Sequence, residues 1–109
     1  MAQPLRPKVT RWPADRPAPD ERKLRALLSG ENVAPYAWGN PPGDRYAAHH
    51  HPYHKILYCL TGSIVFELPS LGEAVELRPG DRLDLPPHVE HAALVGPEGV
   101  VCLEAHRPR

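Results

Sequence analysis

From residue 32 onward, turn-forming residues cut the chain into short apolar runs at regular intervals, and no other feature constrains the fold more. The runs fall near residues 33–38, 44–51, 55–61, 63–68, 73–77, 82–85, 90–95 and 99–105. Between them stand Gly39-Asn40-Pro41-Pro42-Gly43, Thr61-Gly62-Ser63, Pro69-Ser70-Leu71-Gly72, Arg78-Pro79-Gly80-Asp81, Pro86-Pro87 and Gly96-Pro97-Glu98-Gly99. Segments this short cannot make stable helices, and the breakers between them preset turns, so the pattern predicts an all-β sandwich or barrel. Ile64, Phe66 and Leu68 alternate with Val65 and Glu67, and Leu83 and Leu85 alternate with Arg82 and Asp84. A period of two puts each set on one face of a strand, against a core.

The first part of the chain reads differently. Residues 1–19 hold five of the fifteen prolines and no periodicity, which predicts an extended N-terminal arm. Residues 20–109 then form a single barrel domain that opens with a short helix. Asp20 caps that helix, Leu24, Leu27 and Leu28 share one face, and Gly30 ends it, so a leucine stripe is expected to cap the barrel.

Acidic and basic residues balance at 13 each, but residues 1–25 carry seven Lys/Arg against three Asp/Glu. That basic end is broken by prolines and holds only Trp12 as an aromatic, so it reads as a solvated arm and not as a nucleic-acid surface. No apolar run approaches the roughly 20 residues that span a bilayer. No leader-like stretch opens the sequence either, and a cytoplasmic protein without membrane or nucleic-acid partners is expected. Cys59 and Cys102 both sit in apolar runs and are expected as reduced core thiols, with a disulfide open only if their strands are neighbours. Two asparagines, one glutamine, one methionine and abundant proline suit a thermophilic source, and equally a genome of biased composition.

The chemistry concentrates in two blocks. In the run His49-His50-His51, alternate side chains of a strand share a face, so His49 and His51 point together and His50 points away. Two imidazoles at that spacing make half of a divalent-metal site. A second block carries Gly80, Pro86-Pro87 and then His88-Val89-Glu90-His91.

On these two blocks the chain resembles a small single-domain member of the cupin superfamily. The first cupin motif has the form G-x5-H-x-H-x3,4-E-x6-G, and Gly43, His49, His51 and Gly62 fall on its glycines and histidines. The second has the form G-x5-P-x-G-x2-H-x3-N, and Gly80, Pro86 and His91 fall on it. The resemblance covers residues 32–105 and implies a double-stranded β-helix, or jelly-roll, barrel. It also implies one divalent transition metal, iron, zinc, nickel or manganese, held by His49, His51 and His91. Three departures stand out. Lys55 takes the place of the motif's Glu ligand, His88 that of a glycine, and Val95 that of the asparagine.

An ammonium aimed at a cation is repulsive, so either the metal rests on three histidines, as the resemblance allows from thiol dioxygenases, or none binds. Lys55 reads equally as a pocket cation gripping an anionic ligand and as a side chain snorkelling from the barrel mouth. Arg45 shares strand parity with His49, which places it at the pocket or, just as well, on the surface. Tyr36, Trp38, Tyr46 and Tyr53 line the mouth or serve as packing. Glu104 is a remote candidate for a replacement carboxylate ligand.

The expected function is a metal-dependent enzyme acting on a small anionic molecule, with oxygenase chemistry for iron and isomerase or lyase chemistry for the other metals. Two rivals stay open: a non-catalytic ligand-binding or sensing cupin, and a metal-free, epimerase-like cupin with a histidine base. Pairing of open sheet edges makes a homodimer the expected assembly.

Overall fold

The structure is a computed structural model that describes residues 6–107; the first five residues of the arm lie outside it. The elements run β1 (Lys8–Thr10), α1 (Glu21–Gly30), β2 (Tyr36–Asn40), β3 (Arg45–His49), β4 (His54–Leu68), β5 (Glu73–Leu77), β6 (Arg82–Leu85) and β7 (His91–Arg107). All strand pairs are antiparallel, as the jelly roll requires.

Two long strands organise the barrel. The runs expected at 55–61 and 63–68 are one strand, β4, and those at 90–95 and 99–105 are one strand, β7. Gly62 and the Gly96–Gly99 segment redirect the chain instead of ending the strands. The register shifts between Cys59 and Thr61 and again between Gly62 and Ile64. At Gly62 φ is +74°, and a Cβ there would lie 1.9 Å from the Gly99 carbonyl oxygen, so only glycine fits.

The corner also reverses side-chain parity. Leu57 and Cys59 face the core before it, and Ile64, Phe66 and Leu68 after it. In β7 the inward set changes from His91, Ala93 and Val95 to Val100, Cys102 and Glu104. One face of each strand therefore stays inside across both halves. The first half is β1-β6-β4-β7-β2, and beyond the corner β5 and β3 flank β4 and β7.

The helix begins where expected: Asp20 Oδ1 accepts from the Lys23 amide at 2.8 Å, a cap contributing about 1 kcal/mol. It does not cap the barrel end. Leu24 and Leu28 pack on Ile56, Tyr58, Leu103 and Ala105, which are the outward-facing residues of β4 and β7. Leu27, at the margin of that contact, stays 36% exposed.

The arm is more structured than its prolines suggest. Lys8–Thr10 adds a strand to β6, and Asp81 accepts from the Trp12 amide at 3.0 Å and from Arg11 at 2.8 Å. Cys59 and Cys102 are register partners on neighbouring strands, and both are free buried thiols. Burial pushes the Cys59 thiol up to about 12 and Cys102 further in the same direction, so both stay protonated and serve as core filler. Among the described residues, no helix is long and apolar enough to cross a membrane.

Candidate metal centre

His49 ends β3, His51 lies two residues past its end, and His91 opens β7 directly across from His49. His51 is thus outside the regular strand that parity reasoning assumed, yet the three rings converge. Their centroids lie 4.7 Å (His49–His51), 4.4 Å (His49–His91) and 5.3 Å (His51–His91) apart. One nitrogen from each lies within 4.8 Å of the others, close enough to share one ion.

Hydrogen bonds select the tautomers. Nδ1 of His91 donates to the Val89 carbonyl at 3.0 Å, and Nδ1 of His49 donates to the Ala47 carbonyl at 2.7 Å. Only a protonated nitrogen can donate to a carbonyl, so the bare lone pair of each ring sits on Nε2. This is how metal-binding imidazoles are oriented by their surroundings. His91 Nε2 is buried without a hydrogen-bond partner among the described residues, an expensive arrangement that a bound cation resolves. Burial lowers the His91 pKa to about 4, and His51 is lowered by the same cause, so both rings are neutral at pH 7 and free to ligate. The donor set therefore fits a divalent transition metal.

Beside the histidines lies a cavity of about 270 Å³, small for a ligand pocket. Tyr36, Trp38, Tyr46, Lys55, Phe66 and Glu104 line it together with His49 and His91. Lys55 therefore points inward and does not snorkel. Its nitrogen lies 3.4 Å from Glu104 Oε1, with the two side chains only 10% and 7% exposed. Glu104 also accepts from Trp38 Nε1 at 2.9 Å, from the Tyr36 hydroxyl at 2.6 Å and from His106 Nε2 at 2.6 Å. Burial works to raise its pKa, but the Lys55 charge and these hydrogen bonds hold it below the usual carboxylate range.

The remaining candidates fall elsewhere. Arg45 is exposed and absent from the cavity wall, because an irregularity between Tyr46 and His49 breaks the parity that linked Arg45 to His49. Tyr46 lines the cavity in its place and hydrogen-bonds Asn40. Tyr53 is stacked between His51 (4.8 Å) and His106 (3.9 Å), supporting the site from outside the cavity. Burial raises the Tyr36 and Tyr53 hydroxyls, so both remain donors. Glu104, considered as a metal ligand, does not join the histidine group. His50 is exposed, whereas His54 is partly buried and meets Asp84 at 3.2 Å. His88 adopts φ +68°, which explains why the motif prefers glycine there. His106 escaped the sequence reading, although it stands two residues after Glu104 on the same strand face.

These pKa shifts fix the acid response of the metal-free protein. His91 titrates lower when folded than its unfolded value of 6.5, so its contribution is complete above that pH. It is lost as pH falls from about 6.5 toward 4, and amounts to roughly 3 kcal/mol. Glu31, lowered chiefly by Arg82, and Glu104 are depressed carboxylates whose contribution disappears only below about pH 4. Thermal denaturation across this range is expected to show both stages, with the first reduced in His91→Ala, where only the lowered His51 remains. A wild-type Tm unchanged from pH 7 to 4 would contradict the assignment.

A cupin-domain family model matches residues 38–105, so the chain belongs to the cupin family. An RmlC-like cupin from Shewanella frigidimarina NCIMB 400 superposes with a TM-score of 0.61 at 23% identity, covering 71% of this chain and 67% of that one. The DMSP lyase DddQ from Ruegeria pomeroyi DSS-3 gives 0.63 at 28% identity, covering 69% of this chain but 38% of the lyase. KdgF from a Halomonas species gives 0.58 at 28% identity, covering 71% and 70%. No curated protein matches the chain.

Proposed function

We propose that this cupin holds one divalent transition metal on His49, His51 and His91 and acts as an enzyme on a small anionic molecule bound in the adjoining cavity. The observation that carries this reading is the orphaned Nε2 of His91, in a ring whose other nitrogen is tied to Val89. When bound, the metal supplies Lewis-acid polarisation or activates a coordinated molecule. Lys55 is paired with Glu104, and His51 and His91 are neutral at pH 7. A divalent charge in the site would therefore remain uncompensated and draw in an anion. Phe66, Trp38 and Ala93 give the cavity apolar walls, while the Tyr36 and Tyr46 rings line it with their hydroxyls donated to Glu104 and Asn40. A lyase among the relatives at 28% identity supports small-molecule chemistry. Each of β1, β2, β3 and β5 pairs on one side only among the described residues, which suits a homodimer.

The metal-free reading has one observation in its favour, the His106–Glu104 pair at 2.6 Å, a carboxylate orienting an imidazole. His106 is absent from the cavity wall, so the metal reading stands first.

Titration of chelator-stripped protein with cobalt(II) tests the proposal. Visible absorption bands that saturate at one equivalent are expected. Their absence, in protein that remains folded, would overturn it.

A further inference from the structure

Lys55 stands where the cupin motif places a ligand carboxylate, and its counter-charge is Glu104 on β7. Lys55 and Glu104 are diagonal neighbours on adjacent strands, since Leu57 pairs with Glu104 and Lys55 with His106. A carboxylate offers about four lone-pair positions. Trp38 donates to Oε1, Tyr36 and His106 donate to Oε2, and Lys55 stands 3.4 Å from Oε1 as an ion-pair contact. Glu104 is committed to these neighbours and stands outside the histidine group. It anchors what surrounds it.

Lys55 is in the opposite position. An ammonium carries three donors. Among the described residues it makes no hydrogen bond to a protein acceptor; its one carboxylate contact is Glu104, at 3.4 Å, and the Phe66 ring lies 6.0 Å away. The side chain is enclosed and lines the cavity, so its remaining donors face that space with no protein acceptor. A sequestered cation with spare donors calls for an acceptor from outside the chain.

We propose that Lys55 is the anion grip of the cavity and that the ligand it takes is a short-chain monocarboxylate. A single ammonium, 3.4 Å from Glu104 and without a hydrogen bond to it, suits one negative charge. A phosphate dianion would need further donors that the Phe66, Ala93 and Trp38 walls do not supply. The cavity of about 270 Å³ suits a ligand of roughly ten heavy atoms or fewer. This rests on the reading that the cavity takes a small anion, and adds the residue and the ligand class. Because the grip belongs to the chain and not to the metal, it operates in the metal-free protein.

The test therefore uses chelator-stripped protein. The Trp38 indole N–H, bonded to Glu104, is followed by NMR during titration with propionate, propionamide or inorganic phosphate. The Trp12 indole, bonded to the Pro17 carbonyl on the arm, serves as reference. Propionate is expected to shift the Trp38 signal saturably and propionamide to leave it unmoved. Lys55→Met should weaken propionate about tenfold or more. Lys55→Arg should retain it within a few-fold, and the exposed control Lys23→Met should match wild type. Should Lys55→Met fold poorly, Lys55→Met/Glu104→Gln removes both charges and carries the same expectation. No saturable shift with propionate, equal binding by the Lys55→Met proteins, or tighter binding of phosphate would each overturn the proposal. Failure of cobalt(II) binding would leave this result standing, so the two claims fall separately.

Discussion

Glu104→Ala is expected to destabilise the protein by about 3 to 5 kcal/mol, the usual cost of stranding one charge of a buried pair. For a domain of this size that lowers Tm by roughly 15 °C or more. The effect arises because the substitution strands several groups at once. Lys55 loses its counter-ion, and the Trp38 indole and Tyr36 hydroxyl lose their acceptor. Removing both charges avoids most of this, so Lys55→Met/Glu104→Met should fall within about 2 kcal/mol of wild type. Urea denaturation of the singles and the double decides the point. A Glu104→Ala protein within about 1 kcal/mol of wild type would mean that the network is a surface decoration.

His91→Ala is expected to abolish metal binding while leaving the barrel folded. The imidazole is buried with an unpartnered Nε2, so truncation removes an unsatisfied polar group together with the ligand. The loss of packing and the relief of that group oppose each other. Affinity should fall more than about 100-fold, and His51→Ala should act in the same direction. His50→Ala provides the contrast, since its ring is exposed although it stands between the two ligands in sequence. A far-ultraviolet spectrum matching wild type shows that the fold survives. Equal metal uptake by His91→Ala and wild type would place the ion elsewhere.

Much of this was legible in the residues. Turn chemistry marked the strands, because glycine and proline preset the backbone locally. Spacing within the two motifs located His49, His51 and His91. What escaped depends on the third dimension. Gly62 looks like a turn, but its neighbours keep pairing through the corner, and only partner strands reveal that β4 is continuous. Parity placed Arg45 beside His49, whereas a local irregularity exchanged it for Tyr46. Lys8–Thr10 is too short to announce itself as a strand before β6 is present to pair with it. The Glu104 network joins residues from β2, β4 and β7, between 2 and 68 positions away from Glu104, and no local pattern encodes that meeting. His106 is the exception. A titratable residue two positions from a buried carboxylate on one strand face could have been read directly.

The most direct measurement is the metal content of purified protein, made without a histidine tag and analysed by elemental mass spectrometry alongside His91→Ala. Close to one equivalent of a transition metal per chain is expected in the wild type, as purified or after loading with iron, zinc, nickel or manganese, and almost none in the variant. Wild-type protein that remains folded and takes up none of these metals would contradict that expectation.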